Sequence, residues 1–158
     1  VNALAAKVGK RLKAARSMLV TAESCTGGWV SQAATGVAGS SAWFERGFVT
    51  YSNAAKQEML GVRKSTLKKH GAVSEETARE MAKGALKKSR GRIAVAVTGI
   101  AGPTGGSDAK PVGTVCFSWA TRRLQRSEMR RFKGNRESVR RQSVIRALEG
   151  VLELLDGG

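Results

Sequence analysis

Leu19-Val20-Thr21-Ala22-Glu23-Ser24-Cys25-Thr26-Gly27-Gly28 reads as a strand, a tight turn and the entry to a helix. An apolar run leads in and two glycines lead out. Val30, Ala33, Ala34 and Val37 then follow at amphipathic spacing. Ser24 falls at the turn, where a hydroxyl at a strand end can point out of the sheet beside the N–H groups of the next helix. A nucleophile needs that arrangement, because free N–H groups and the positive helix end stabilise a developing oxyanion. The spacing shares the logic of the hydrolase elbow but is not G-x-S-x-G. The simpler reading is that Ser24 or Thr26 N-caps the helix. This stretch alone leaves both open.

Working outward, Leu4, Val8, Leu12 and Ala15 share one helical face, so an amphipathic helix precedes a first strand over Ser17 to Glu23. Gly36 ends the second helix, and Gly39-Ser40-Ser41 reads as a loop. Trp43, Phe44, Phe48, Val49 and Tyr51 make at least the second half of Ala42 to Tyr51 a strand. Asn53 to Leu60 reads as a short helix capped by Ser52 or Asn53 and stopped by Gly61. Lys64 to His70 suits another helical turn, with His70 a polar group at its C-terminal end. Ser74-Glu75-Glu76 opens a helix carrying Ala78, Met81, Ala82, Ala85 and Leu86.

Arg92 to Thr98 is a short apolar strand expected to be buried on both faces. It runs into Gly99-Ile100-Ala101-Gly102-Pro103-Thr104-Gly105-Gly106-Ser107, a loop whose backbone can approach a ligand closely or can simply be a crossover. It lacks G-K-[ST] and is no P-loop. Val112 to Thr121, with Val115, Phe117 and Trp119 on one side, alternates as a half-buried strand paired with Gln125 to Lys133. Glu137 to Leu155 is the last helix. Helices separate the first three strands and a hairpin comes late. The fold class is therefore α/β, a three-layer α/β/α sandwich on a mixed sheet of about five strands.

A chain of 158 residues with 41% hydrophobic content suits one domain over 1–158 with a real core. No apolar run approaches a membrane span, no basic-then-apolar leader is visible, and Cys25 and Cys116 form no C-x-x-C. A reduced, cytoplasmic protein with no membrane partner is the expectation. The net charge is +16, which favours anionic ligands. Between Arg122 and Arg146 stand ten basic residues against Glu128 and Glu137. They read either as a solvated edge strand and helix face or as ligand contacts.

The sequence holds one histidine, and its aspartates are Asp108 and Asp156, so nothing supports a Ser-His-Asp triad on Ser24. No His/Cys/Asp cluster has metal-ligand spacing. A base for Ser24 must then be something else, and a lysine can serve when burial, nearby cations or a helix N-terminus depress its pKa. Lys56, in the first turns of a short helix just after Tyr51, is the best candidate; its bland alternative is a solvated surface charge. Cys25 is the competing nucleophile. Neighbouring side chains at a strand end point opposite ways, so only one of the two should face the cleft.

The same stretch, Thr21 to Gly28, resembles the signature of the C-terminal domain of the competence/damage-inducible CinA proteins. Other segments are similar to that family in the same order: Gly39-Ser40-Ser41 with Phe44 and Gly47; Tyr51-Ser52-Asn53; Gly71-Ala72-Val73-Ser74; Thr98 to Pro103; Lys110 to Val115; and Gly134-Asn135-Arg136 with Val139-Arg140. The resemblance covers nearly the whole chain. It implies an α/β/α fold and, from the stand-alone members, an amidohydrolase that turns nicotinamide mononucleotide and water into nicotinate mononucleotide and ammonia in pyridine-nucleotide recycling.

It also implies a metal-independent serine/lysine hydrolase without a cofactor, and a homodimer. The family's nucleophile falls on Ser24, its base on Lys56 and its active-site tyrosine on Tyr51. Substrate-binding positions fall on Thr26, Gly27, Gly28, Thr98, Gly99 and Gly102, with Arg140 before Arg136 as the phosphate-binding arginine. Larger members carry an extra pyrophosphatase domain, whose activity is not implied. The rival readings are a basic nucleic-acid-binding protein and an inactive nucleotide-binding regulatory domain. Nucleic acid is not the expected partner, because aromatic stacking residues are scarce between Arg122 and Arg146.

Overall fold

The computed structural model describes residues 1–157. Its order is α1 (Asn2–Ala14), β1 (Leu19–Glu23), α2 (Trp29–Thr35), a 3-10 turn (Ser40–Ala42), β2 (Phe44–Val49), α3 (Asn53–Leu60), α4 (Lys64–His70), α5 (Glu75–Lys87), β3 (Ile93–Gly99), β4 (Thr114–Ala120), β5 (Gln125–Arg131) and α6 (Arg136–Gly157). The sheet runs β2-β1-β3-β4-β5. β1 pairs in parallel with both β2 and β3, whereas β4 is antiparallel to β3 and β5. This is the mixed five-stranded α/β architecture expected from the sequence.

Strand alternation sorts the side chains into two cores. Leu19, Ile93, Val95, Val97, Val115, Phe117 and Trp119 pack with α1, α2 and α6. Val20, Ala22, Ala94, Ala96 and Ala120 face the other layer, against Leu60, Val62, Leu67, Met81, Ala82 and Ala85. β3 turns Ala94 and Ala96 to this second face, which lets α5 sit close. Two glycines set the helix approaches. A Cβ at Gly84 of α5 would overlap the Leu60 carbonyl at the end of α3, and one at Gly150 of α6 would overlap the Trp119 ring. Trp119 Nε1 donates to the Ala147 carbonyl at 2.9 Å, which satisfies its buried N–H.

Several boundaries differ from the sequence reading. β1 begins at Leu19 rather than Ser17, because the chain leaves α1 through Ala15 and through Arg16 at φ 52. Ala15 is exposed as the C-cap rather than sharing the apolar face. Gly39-Ser40-Ser41 passes into a 3-10 turn rather than an open loop. The helix over Asn53–Leu60 has the expected bounds: the Ser52 hydroxyl accepts from the Ala55 N–H at 3.0 Å, and Gly61 closes it at φ 70.

The basic segment does not form one patch. Arg146 is buried and pairs with Glu128 and Glu153 while lying over Trp119, 5.1 Å from the ring centroid. Arg130 pairs with Glu128, and Arg141 with Glu137. β5 is the exposed edge strand, in line with the solvated-edge reading. Among the described residues no helix is long and apolar enough to cross a membrane.

Candidate active site

β1 and β2 end side by side, so Ser24 and Thr50 emerge at the same end of the sheet. The Ser24 N–H donates to the Val97 carbonyl at 2.9 Å, and the Thr50 N–H to the Glu23 carbonyl at 2.8 Å, which extends the ladder just past the strands. The chain then reverses at Tyr51-Ser52 into α3, whose first turns carry Lys56 back over the strand ends. Lys56 Nζ lies 3.0 Å from Ser24 Oγ, 3.1 Å from the Thr50 carbonyl and 3.5 Å from the Tyr51 carbonyl. Lys56 is 1% exposed and Ser24 7%. Burial pushes the Lys56 ammonium below the usual lysine range, opposed by Cys25 beside it. Thr50 Oγ1, also buried, has no hydrogen-bond partner among the described residues.

The turn is built by a residue the sequence reading did not single out. Neither Ser24 nor Thr26 caps α2: its N-cap is Gly28, at φ 105, with no side-chain cap bond. The capping is done by Glu23. Its buried carboxylate accepts from Thr26 Oγ1 at 2.7 Å, Val30 N–H at 2.8 Å, Ser31 N–H at 2.9 Å, Ser31 Oγ at 2.7 Å and Gly28 N–H at 3.2 Å. A negative group at the positive end of α2 is thereby held by the turn it organises. Thr26 supports the loop from inside rather than presenting its hydroxyl to a ligand.

This wiring decides which amides are free. The Gly27 N–H bonds the Ser24 carbonyl, the Gly28 N–H bonds Glu23, and the Trp29 N–H bonds the Thr26 carbonyl. Of the N–H groups around Cys25 to Gly28, that of Thr26 has no partner among the described residues, and that of Cys25 faces only its own thiol. Arg140 fastens the other side of the turn. Its Nε donates to the Cys25 carbonyl and its Nη2 to the Thr26 carbonyl, both at 3.1 Å, and its guanidinium lies over Trp29, 5.5 Å from the ring centroid.

The remaining candidates surround this centre unequally. Cys25 is 5% exposed, with its side chain in the α1/α2/α6 core, and burial pushes its thiol up to about 12. Tyr51 contributes its carbonyl to Lys56, but its ring is 63% exposed. Its hydroxyl accepts from Arg136 Nη2 at 3.3 Å. Arg136 Nη1 donates to the Gly102 carbonyl at 2.7 Å, so this exposed guanidinium spans the glycine loop and Tyr51. Thr98 is buried with its hydroxyl donating to the Ala72 carbonyl at 2.9 Å. Gly99 and Gly102 are packing positions, where a Cβ would press on Val115 and Val112 respectively. Among the described residues, no group of three or more His, Cys, Asp or Glu side chains could hold a metal ion.

An α/β sheet that presents a serine and a buried lysine at its strand ends has the layout of a small hydrolytic domain. Residues 1–155 match the CinA C-terminal domain, and the chain belongs to that family. It is 58% identical over 147 residues to the nicotinamide-nucleotide amidohydrolase PncC of Escherichia coli K12, covering 92% of this chain and 89% of that protein. To the protein of the same name from Pseudomonas putida it is 52% identical over 154 residues, covering 98% and 96%. The crystal structure of the competence/damage inducible protein CihA from Agrobacterium tumefaciens superposes with a TM-score of 0.92 at 48% identity, covering 98% of this chain and 94% of that one. A CinA superfamily protein from Klebsiella pneumoniae gives a TM-score of 0.96 at 40% identity, covering 99% and 98%.

Proposed function

We propose that this protein is a nicotinamide-nucleotide amidohydrolase that uses Ser24 as nucleophile and Lys56 as base to convert nicotinamide mononucleotide and water into nicotinate mononucleotide and ammonia. The observation that carries the reading is the buried 3.0 Å contact between Lys56 Nζ and Ser24 Oγ. A neutral amine has two N–H bonds and one lone pair. With the N–H bonds turned to the Thr50 and Tyr51 carbonyls, the lone pair is left for the Ser24 hydroxyl proton.

Lys56 takes that proton as Ser24 Oγ bonds to the carboxamide carbon. The carbonyl oxygen becomes an oxyanion, received by the free Thr26 amide and by the Cys25 amide, which no other residue engages, each worth about 3–4 kcal/mol when well placed. Collapse breaks the C–N bond, and the nitrogen leaves as ammonia with the proton from Lys56. Water then attacks the acyl-enzyme, with Lys56 again accepting a proton, and Ser24 is regenerated as nicotinate mononucleotide departs. Glu23 and Arg140 hold the turn in register. Arg136, exposed and reaching from the glycine loop to Tyr51, is the better placed of the two arginines for the 5′-phosphate; this reverses the order drawn from the resemblance. Gly102 and Tyr51 line the path that Arg136 spans.

The resemblance extends the proposal to a homodimer acting in pyridine-nucleotide recycling, and the cysteine usage extends it to a reduced, cytoplasmic protein. The test is ammonia release from nicotinamide mononucleotide by the purified protein, with nicotinate mononucleotide formed in equal amount. A folded protein that binds the nucleotide without releasing ammonia is instead the inactive regulatory domain.

A further inference from the structure

An open groove lies at the end of β3 away from Ser24. It measures about 1140 Å³ and is walled by Lys83 and Lys87 of α5, Arg90 and Arg92 of the loop into β3, and Arg122 and Arg123 of the β4–β5 hairpin. β3 starts at this groove with Ile93 and ends at the catalytic end with Gly99. Seven strand residues place the two regions roughly 20 Å apart. All six cations are exposed, and no acidic side chain lines the groove.

None of the six side chains makes an ion pair or hydrogen bond among the described residues, although Arg11, Arg46, Arg63, Arg79, Arg130, Arg141 and Arg146 are all paired. Glu45, which accepts from the Arg90 N–H, is already paired with Arg46. Six like charges brought together by three separate elements, offset in part by Glu45 near Arg90, repel one another, and an anion relieves that repulsion.

We infer that this groove binds the phosphate backbone of double-stranded nucleic acid without reading its bases. The groove is open and its cations sit on flexible stems, which suits a linear array of phosphates better than one enclosed small ligand. No aromatic side chain lines it, so it offers no platform for unstacked bases and favours a duplex over a single strand. The scarcity of aromatics that counted against nucleic acid in the Arg122–Arg146 segment excludes stacking, not backbone contact. Of that segment's cations, Arg122 and Arg123 reach this groove. Bound duplex would leave the strand ends at Ser24 accessible.

The test is fluorescence anisotropy with a labelled 20-base-pair DNA duplex of arbitrary sequence, titrated with the full chain from 50 to 200 mM salt. With four to six phosphates neutralised, log K is expected to fall with log salt at a slope of about −4 to −5. The variant Lys87→Glu/Arg90→Glu/Arg122→Glu/Arg123→Glu should flatten that slope by about 3 to 4 and bind at least tenfold more weakly than a control of equal charge, Lys7→Glu/Lys10→Glu/Lys64→Glu/Lys68→Glu. Thermal melting of both variants shows that they fold, so the comparison does not depend on amidohydrolase activity. Equal losses in both variants would assign binding to net charge alone and overturn the inference. So would an unbound duplex at 50 mM salt, or a single strand binding tenfold tighter than the duplex.

Discussion

Lys56 Nζ stands 3.0 Å from Ser24 Oγ across a sequence separation of 32 residues, with both side chains closed off from solvent. A buried lysine with no carboxylate on its amine weakens the fold, because desolvation disfavours its charge, and this supports the proposed role of Lys56 as base. The depressed pKa supplies neutral amine closer to working pH than free lysine would. kcat/KM for nicotinamide mononucleotide is therefore expected to rise with pH on a limb whose apparent pKa lies below 10.5. Lys56→Met should remove that limb and lower kcat by about 10²–10⁴-fold. Parent-like turnover by a folded Lys56→Met protein would rule out the serine/lysine mechanism.

The same group makes stability depend on pH. The folded-state pKa of Lys56 is lowered, so between it and the unfolded value the unfolded chain binds more protons, and stability rises with pH through that window. Below the folded pKa the burial penalty is fully present. Lys56→Met removes the titrating group, although it also forfeits the bonds to Thr50 and Tyr51. The informative quantity is the difference in melting temperature between variant and parent: it should shift in favour of the parent as pH is raised from 7 toward 10.5. A difference that stays constant across that range would mean that burial does not penalise the ammonium.

Ser24 and Cys25 are adjacent, yet they lie on opposite sides of the strand end. Ser24→Ala should abolish nearly all ammonia release. Cys25→Ala trims a core side chain, with an expected loss of about 1 kcal/mol of stability and most activity retained. A thiol pushed up to about 12 is almost wholly protonated at neutral pH and is a poor nucleophile. Activity surviving in Ser24→Ala but not in Cys25→Ala would exchange the two assignments.

Side-chain patterns made the layers legible, whereas backbone wiring hid much of the site. The Ser52 and Gly61 caps mark α3 because each signal is local, whereas β4, read as half-buried from its alternation, is buried along its whole length with helices on both faces of the sheet. Glu23 left no such mark. A carboxylate at the end of an apolar strand becomes a helix cap only because Gly27 and Gly28, at φ 58 and 105, turn the chain so that the Val30 and Ser31 amides face it. The acceptors that orient Lys56 are main-chain carbonyls, which any residue could supply. Arg140 meets the Cys25 carbonyl across 115 residues, a pairing that depends on how α6 crosses the sheet. The seat of α3 on α5 likewise rests on the missing Cβ of Gly84, a residue that reads in sequence only as a weak spot in a helix.

Glu23 offers a test of how far catalysis depends on the turn. Glu23→Ala would strand the buried donors of Thr26, Gly28, Val30 and Ser31, with an expected cost above about 3 kcal/mol, readable as a lower urea midpoint. Glu23→Gln keeps the shape but replaces one acceptor oxygen with a donor facing N–H and O–H groups, so it should fold with a smaller loss. If Glu23 acts by holding the Ser24 turn in register, Glu23→Gln should lower kcat more than it raises KM. A normal kcat with only a lower melting temperature would confine Glu23 to a structural role.

Arg136 and Arg140 are separable by substrate. Arg140 spends Nε and Nη2 on the carbonyls of the nucleophile turn, whereas Arg136 lies exposed between Gly102 and Tyr51. If Arg136 binds the 5′-phosphate, nicotinamide riboside loses a charge-assisted bidentate contact of about 2–4 kcal/mol. Its kcat/KM should then be about 30- to 1000-fold below that of the mononucleotide. Arg136→Met should lower the mononucleotide toward the riboside and leave the riboside nearly unchanged. Arg140→Met should depress both substrates by the same factor, because it loosens the turn that carries Ser24. Riboside turned over as well as mononucleotide by the parent would remove the phosphate contact altogether, and a selective effect of Arg140→Met on the mononucleotide would return the role to Arg140.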